Sequence, residues 1–135
     1  MIQCNVIKAS YDYGVKKLLF VGTATAYPEC CPQPIKEEYL LTGPLDSTNE
    51  AYAIAKIAGT KMCQYFDEQY GTNFVSMVPN NLYGPNDNFD LNTAHVIPAL
   101  IRKFHTAKVT GADHVEVWGS GNQRREFLYV DDFAD

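Results

Sequence analysis

The chain has 135 residues, which is enough for one domain of modest size. Hydrophobic residues make up 46% and charged residues 20%, which is typical of a globular protein, and the formal net charge is -5. This acidic balance, with no basic tract, argues against nucleic acid as the main partner. No apolar run approaches the roughly 20 residues that span a membrane, and no signal-peptide pattern opens the chain.

The cysteines are scattered and form no Cys-x-x-Cys pair; they are Cys4, Cys30, Cys31 and Cys63. Such spacing indicates neither a zinc site nor a disulfide framework. We therefore predict no bound metal and a reduced, cytoplasmic setting.

The first predicted elements are a helix and a buried strand. Residues 3–13 have helical apolar spacing, and Gly14 ends the helix. Leu18–Val21 is a continuous apolar run, typical of a strand covered on both faces in a parallel sheet. Thr23 and Thr25 follow at its carboxyl end, which is where open α/β sheets bind ligands.

A long loop and a long helix come next. Residues 28–50 are rich in proline, glycine and acidic residues, and a loop of that length inside a domain is usually functional or disordered. The helix is predicted over residues 51–70, capped by Ser47, Thr48 or Asn49 and ended by Gly71.

The second half of the chain shows shorter elements. Residues 73–78 predict a strand, and Pro79–Pro85 predicts a turn cluster at its carboxyl end, followed by a polar loop to residue 93. Pro98 predicts the first residue of a helix that reaches residue 107. Residues 115–118 and 125–130 have strand patterns, and Asp131-Asp132 starts a further helix.

The pair with the clearest chemistry is Tyr52 and Lys56, which lie one turn apart on the same face of the predicted helix. An ammonium beside a phenol favours the phenolate and lowers its pKa toward neutrality. A hydroxyl from the neighbouring strand end, such as that of Thr23, can hold a substrate oxygen against the phenol. This combination suits the movement of a proton and a hydride at a carbinol or ketone.

The order of elements predicts an α/β fold with parallel strands, as part of a doubly wound, Rossmann-like sheet. Two clear strands are fewer than the about five or six of a complete sheet of this kind. Gly119-Ser120-Gly121 lacks the third glycine of a dinucleotide fingerprint and precedes a strand, so we reject it as one. Either the chain binds no nucleotide cofactor, or the part that binds it lies upstream.

Several spaced blocks carry a family resemblance. They are Gln33-Pro34-Ile35, Leu41–Leu45, Thr48-Asn49-Glu50, Tyr52–Gly59, Asn81–Pro85, His95–Arg102, Val117–Gly121 and Arg125–Leu128. Through them the chain resembles the extended short-chain dehydrogenase/reductase superfamily, and it looks like the middle of a longer member. The resemblance implies three parts: residues 1–91 from a dinucleotide-binding domain without its glycine loop, 92–124 from a substrate-binding domain, and 125–135 as a return strand.

The reaction that this resemblance implies is the NADPH-dependent epimerisation and reduction of a nucleotide sugar, from GDP-4-keto-6-deoxy-mannose to GDP-L-fucose. A relative of UDP-sugar epimerases or dTDP-sugar dehydratases is the alternative enzyme. The alternative from another class is an inert, truncated module that dimerises or binds a GDP-sugar. The helices near 3–13 and 51–70 resemble the family's dimer-forming pair, and the isolated chain is expected to be inactive.

The resemblance also implies individual roles. Tyr52 donates the proton to the keto oxygen, Lys56 holds the nicotinamide ribose, and Thr23 supplies the hydroxyl. His95 falls on the family's epimerisation acid. The implied cofactor-binding residues are Gly22, Thr23, Tyr52, Lys56, Pro79, Asn80, Asn81, Leu82 and His95, and the implied substrate-binding residues are Lys103, Trp118 and Arg125.

One position departs from the family pattern. The family pairs the counterpart of His95 with a cysteine, and this chain has Thr25 at the cysteine's position. An alcohol is a far poorer base than a thiol at neutral pH. We therefore expect weak or altered epimerisation, with substitution by Cys30 or Cys31 as the less favoured alternative.

Overall fold

Four helices and four short strands follow one another along residues 2–135, the part of the chain that the computed structural model describes. The helices are α1 (Ile2–Asp12), α2 (Glu50–Tyr70), α3 (Val96–Thr110) and α4 (Val130–Ala134). The strands are β1 (Leu18–Val21), β2 (Phe74–Met77), β3 (Asn81–Tyr83) and β4 (Phe127–Tyr129). The chain divides into two compact units, Met1–Pro79 and Asn80–Asp135. The domain boundaries at residues 91 and 124 stay predictions.

In the first unit, β1 and β2 pair in parallel, with Leu18 opposite Phe74 and Val21 opposite Met77. A parallel pair needs a crossover connection, and α2 provides it between the two strands. The second unit also contains a parallel pair, β3 with β4. The predicted α/β fold with parallel strands is therefore confirmed.

The core of the first unit lies between the helices and one face of this sheet. Ile7 of α1, Cys63 of α2 and Phe74 of β2 form its buried centre. Partly buried side chains surround them: Leu18, Phe20, Met62 and Phe66. Burial of a side chain the size of Ile7 stabilises the fold by about 1.5–3 kcal/mol, so this cluster holds α1 and α2 against the strands.

The opposite face of the β1–β2 sheet is exposed. Leu19 and Val75 each keep 51% of their surface accessible. Successive strand residues point to opposite faces, and both long helices of this unit pack against the face that carries Leu18 and Phe20. The expectation that β1 is covered on both faces does not hold within the described residues.

Of the two ends of helix α2, only the carboxyl end has the cap that the sequence predicts. Asn49 occupies the N-cap position, but its side chain makes no capping hydrogen bond and donates to Asp46 Oδ2 (2.9 Å) instead. The predicted side-chain cap of α2 is therefore wrong, because the side-chain amide of Asn49 is bound to Asp46. At the other end Gly71 adopts a left-handed conformation (φ 64°), which costs a glycine little.

The second unit corrects a prediction for residues 79–85. Asn81–Tyr83 is a strand, and it pairs in parallel with Phe127–Tyr129, so it is not part of a turn cluster. Prolines and asparagines favour a turn locally, but the backbone partner of this segment lies far along the chain. A Cβ on Gly84 would collide with Val130, which explains a glycine where β3 ends.

The remaining elements of the second unit also differ in detail. Helix α3 starts at Val96, so Pro98 is its third residue, and the helix reaches Thr110. Residues 115–118 form no strand, because their backbone has no ladder partner in the structure as described. No helix within residues 2–135 combines the length and apolar content needed to cross a membrane.

Candidate active site

Tyr52 and Lys56 lie on one side of helix α2, in its first turns. Ala53 and Ile57 are buried and hold the helix in place, whereas Tyr52 is 50% exposed. The Lys56 Nζ atom lies 5.7 Å from the centroid of the Tyr52 ring. The spacing of four residues therefore brings the ammonium and the phenol ring into one small region.

Lys56 also connects α2 to the end of β1. Its Nζ donates a hydrogen bond to the backbone oxygen of Val21 at 2.8 Å. The same Nζ lies over the Phe20 ring, 5.2 Å from its centroid. An ammonium has three donors, so one is used on Val21 and two are left for other acceptors.

Thr23 and Thr25 stand at the carboxyl end of β1, where the sequence predicts ligand binding. Thr23 caps a short 3-10 turn, Ala24–Ala26, and its Oγ1 accepts from the Thr25 backbone N–H at 3.4 Å. The two Oγ1 atoms are 3.0 Å apart. This turn contacts α2, so the hydroxyl pair and the helix that carries Tyr52 belong to one packed region.

Gly22 permits a close approach of the two strands at this edge. Its N–H donates to the Met77 oxygen at 2.7 Å. A Cβ at Gly22 would lie 3.1 Å from Val78 Cγ2, which is tighter than most Cβ contacts in proteins. The residue therefore shapes the strand ends beside Thr23, and the structure gives it a packing role.

The two loop cysteines lie in a turn. The Cys31 N–H donates to the Pro28 oxygen at 3.1 Å, Cys30 is exposed and Cys31 is half-buried. Burial, followed by the charges of Glu37 and Cys31, raises the pKa of Tyr27 in the same loop. At position 25 the side chain contacts Thr23 through the two hydroxyl groups. The alternative in which Cys30 or Cys31 takes the place of the family's cysteine stays a prediction.

The predicted cofactor residues after β2 fall in both units. Pro79 is the last residue of the first unit, and Asn80 begins the second. Asn81 and Leu82 belong to β3, and the Asn81 side chain donates to the Glu126 oxygen at 3.0 Å. This bond joins β3 to the segment that leads into β4, so Asn81 has a structural partner of its own.

His95 occupies the N-cap position of α3 and is exposed. Its backbone oxygen accepts from the Ala99 N–H at 3.0 Å, while its side chain makes no capping hydrogen bond. The imidazole is therefore presented at the start of a helix without a structural bond to that helix.

Two of the three predicted substrate residues meet in the second unit. The Lys103 Nζ lies 4.6 Å from the Trp118 ring centroid and donates to the Glu116 oxygen at 2.9 Å. Trp118 is 74% exposed, so its ring is not buried in the core of the described residues. Arg125 is also exposed, and it donates to the Arg124 oxygen at 2.9 Å.

A cavity in the second unit was missed by sequence reasoning. Its volume is about 290 Å³. It is lined by Tyr83, Gly84, Pro85, Asp87, Phe89, Ile97, Pro98, Ile101 and Tyr129. The charge of Asp131 raises the pKa of Tyr129. The lining residues come from distant segments, so no local motif signals the cavity.

Phe20 and Gln3 were also missed. A second cavity, of about 170 Å³, is lined by Gln3, Phe20, Tyr52, Ala55 and Lys56. The Gln3 side chain donates to the Ala55 oxygen at 2.7 Å, which ties α1 to α2 between Tyr52 and Lys56. Among residues 2–135 no cluster of three or more His, Cys, Asp or Glu side chains offers a metal site.

The fold and the Tyr-x-x-x-Lys pair on α2 point to a particular class of protein. Comparison with known sequences identifies that class. The family model described as NAD dependent epimerase/dehydratase matches residues 1–135, so the chain belongs to that family. The chain is similar to the GDP-L-fucose synthase of Sinorhizobium fredii (strain NBRC 101917 / NGR234), with 56% identity over 135 residues, 100% of this chain and 43% of the relative. It is also similar to GDP-L-fucose synthase 1 of Arabidopsis thaliana, with 59% identity over 134 residues, 99% of this chain and 42% of the relative.

A solved structure with the same fold is that of MlghC, a GDP-mannoheptose C4 reductase from Campylobacter jejuni with NADP bound. Its TM-score is 0.87 at 40% identity, and the match covers 98% of this chain and 48% of that chain. The chain spans less than half the length of these curated relatives and of this structure. The predicted family resemblance is confirmed.

Proposed function

We propose that the protein containing this chain is an NADPH-dependent nucleotide-sugar epimerase/reductase that acts on a GDP-linked 4-keto sugar, as in the conversion of GDP-4-keto-6-deoxy-mannose to GDP-L-fucose. The observation that carries the proposal is the meeting of Lys56 with Tyr52 and with the end of β1, beside the turn that Thr23 caps. Family membership and relatives named GDP-L-fucose synthase support the same conclusion.

The residues of the chain suit one part of the cofactor. NADPH, when bound, supplies the hydride for the reduction. Lys56 has two ammonium donors beyond the one bound to Val21, which suits the hydroxyl groups of a ribose. The sequence has no glycine-rich turn for the pyrophosphate, so the fit concerns the nicotinamide ribose alone.

Tyr52 and Thr23 have different roles at the substrate oxygen. The exposed phenol of Tyr52 donates a proton as the oxygen gains negative charge, with the Lys56 ammonium 5.7 Å from the centroid of its ring. The Thr23 hydroxyl is oriented by the 3-10 turn and holds the same oxygen in place. Positioned proton transfer of this kind contributes about 10²–10⁴-fold to a rate.

The nucleotide end of the substrate is assigned to the second unit. Trp118 offers an exposed aromatic face for stacking on guanine, with the ammonium of Lys103 beside it. Arg102, Arg124 and Arg125 supply further positive charge for a diphosphate in a chain whose net charge is -5. His95, exposed at the start of α3, is proposed as the acid for epimerisation.

A second candidate function is reduction of the keto group without efficient epimerisation. The observation that favours it is Thr25, whose hydroxyl contacts Thr23 at 3.0 Å where the resemblance implies a thiol. Abstraction of a proton beside a ketone needs a base, and an alcohol provides a poor one. Deuterium uptake from heavy water at the ring carbons next to the ketone distinguishes the two candidates, because only epimerisation exchanges those protons.

We also propose a homodimer through α1 and α2, and a cytoplasmic setting. Both helices leave apolar side chains exposed, among them Ile2 at 82%, Val6 at 51% and Ile54 at 52%, and such exposure is typical of an interface. The four cysteines are free, which accords with a reduced compartment. Light scattering on the purified protein tests the dimer directly.

The test of the main proposal uses a chimera. The segment of the Sinorhizobium fredii relative that matches this chain is replaced by these 135 residues, and NADPH oxidation with a GDP-4-keto sugar is followed. We expect turnover by the chimera and none by the isolated chain. Tyr52→Phe is expected to lower kcat by at least about 100-fold, because the proton donor is lost.

Tyr65→Phe is the matched control, because Tyr65 is also an exposed tyrosine of α2 (55%). It is expected to leave the rate within about twofold. Turnover by a Tyr52→Phe chimera at the unmodified rate would remove Tyr52 from its role, and turnover by the isolated chain would overturn the expectation of inactivity.

A further inference from the structure

Phe20 is the side chain on which α2 and β1 meet. Its ring lies directly against Gly59, and a Cβ at position 59 would collide with three atoms of the ring. Gly59 is buried in the middle of α2, where a glycine costs about 0.5–1 kcal/mol relative to alanine. The close approach of the Phe20 ring gives this glycine a physical reason.

The same ring lies beside Lys56. Lys56 and Gly59 are three residues apart on α2, so they share the helix face that looks toward β1. The Lys56 Nζ is 5.2 Å from the Phe20 centroid, which is within the range of a cation–π interaction. Phe20 and Lys56 also line the same cavity of about 170 Å³ with Tyr52.

These contacts restrict where the ammonium can go. A lysine side chain is long and flexible, and fixing it costs side-chain entropy. Here the Val21 backbone oxygen accepts a hydrogen bond from Lys56 Nζ at 2.8 Å. The π face of the Phe20 ring attracts the positive charge of the same ammonium. The hydrogen bond to Val21 uses one of the three Nζ donors, and the others can bind a ligand.

We propose that Phe20 is a positioning residue: its ring, seated against Gly59, holds the Lys56 ammonium at the carboxyl end of β1, beside Tyr52. This inference rests on the proposed function for the ligand that Lys56 contacts, but the placement of Lys56 by the ring is a property of the unliganded protein. Phe20 contributes through Lys56, and touches neither the substrate nor the reacting atoms in this proposal.

The first experiment measures the placement of Lys56 without any ligand. Proton–carbon NMR spectra of the full chain, with Lys56→Arg identifying the Lys56 signals, report the Cε protons. A nearby aromatic ring shifts them upfield of the other lysines. Phe20→Met removes the ring at similar volume and is expected to move these signals downfield, toward those of exposed lysines such as Lys16 and Lys17.

The second experiment measures NADPH binding and turnover in the chimera. Loss of a cation–π interaction is expected to raise the Kd and KM for NADPH about twofold to fivefold. Phe66→Met is the matched control, because Phe66 is another partly buried aromatic residue of the first unit's core and packs against Phe74. Replacement of Phe20 by 3,5-difluorophenylalanine weakens the π face at nearly constant shape and is expected to give a smaller shift in the same direction.

The outcomes separate the two proposals. Unchanged Lys56 signals in Phe20→Met would overturn the positioning role, as would equal rises in the KM for NADPH in Phe20→Met and Phe66→Met. An unmodified chimera that neither binds NADPH nor turns over would defeat the proposed function, while the NMR result would still decide the placement of Lys56. Displaced Lys56 signals with a KM change confined to the Phe20 variants support the inference.

Discussion

The two units of the chain differ in how their candidate functional residues are supported. In Met1–Pro79 the Tyr52–Lys56 pair stands on a helix fixed by buried Ala53, Ile57 and Cys63. In Asn80–Asp135, α3 has one buried residue, Pro98. Two of the three candidate substrate residues of this unit, Trp118 and Arg125, lie on exposed segments outside the helices and strands.

This difference has a physical meaning for catalysis and binding. A proton donor needs a fixed geometry, because a misplacement of about 1 Å can cost a hundredfold in rate. A charged or aromatic residue that contacts a nucleotide tolerates more freedom, since stacking and charge attraction vary slowly with position. The first unit is therefore the one whose packing should control reactivity, and the second is the one whose exposed side chains should control binding.

The largest expected contrast is in backbone protection. Amides of α2 around Ile57 and Cys63 are expected to exchange with solvent at least about 100-fold more slowly than amides of α3, because local opening of α2 exposes the core. Hydrogen exchange on the full chain, read by NMR or mass spectrometry, measures the ratio. Equal rates would show that burial does not divide the chain in this way.

The next contrast is the cost of one core deletion. Ile7 is 1% exposed and Ile101 is 54% exposed. Ile7→Ala is expected to lower the free energy of unfolding by about 2–4 kcal/mol, because it leaves a cavity between α1 and the sheet. Ile101→Ala serves as the control and is expected to cost less than about 1 kcal/mol. Urea denaturation followed by circular dichroism gives both values, and a larger loss for Ile101→Ala would reverse the comparison.

The smallest expected effect on stability is at Trp118. Its contact with Lys103 is an exposed cation–π interaction, worth about 0.5–1 kcal/mol at most. Trp118→Ala should therefore change the free energy of unfolding by less than about 1 kcal/mol while it weakens GDP binding by the chimera. A large loss of stability with unchanged GDP affinity would make Trp118 a structural residue.

Local sequence patterns were reliable where the chain's own neighbours decide the structure. Residues 3–13 and 51–70 were predicted within one residue of α1 and α2, because apolar spacing and the stop at Gly71 act within a few turns. Patterns failed at Pro79–Pro85 and at residues 115–118. In the first case a ladder with β4 overrides turn residues, and in the second an alternating pattern finds no partner strand.

The candidate site shows the same division. The Tyr52–Lys56 pairing and the position of Thr23 after a strand follow from helical and strand geometry alone. Phe20, in contrast, reads as one apolar strand residue among four, and nothing nearby in the sequence links it to Gly59 or Lys56. Lys103 and Trp118 were assigned separately through the family resemblance, and the direct contact between them appears only in the structure.

Local patterns in the sequence are sufficient to predict the α/β class, the two long helices and the face that carries Tyr52 and Lys56, because hydrophobic period and residue spacing act over one or two turns. Other features become visible only in the folded chain: the β3–β4 pair, the contact of the Phe20 ring with α2 and the hydrogen bond from Lys56 to Val21. Those features join residues that are distant along the chain. Their energies depend on which surfaces meet, and no local pattern encodes that meeting.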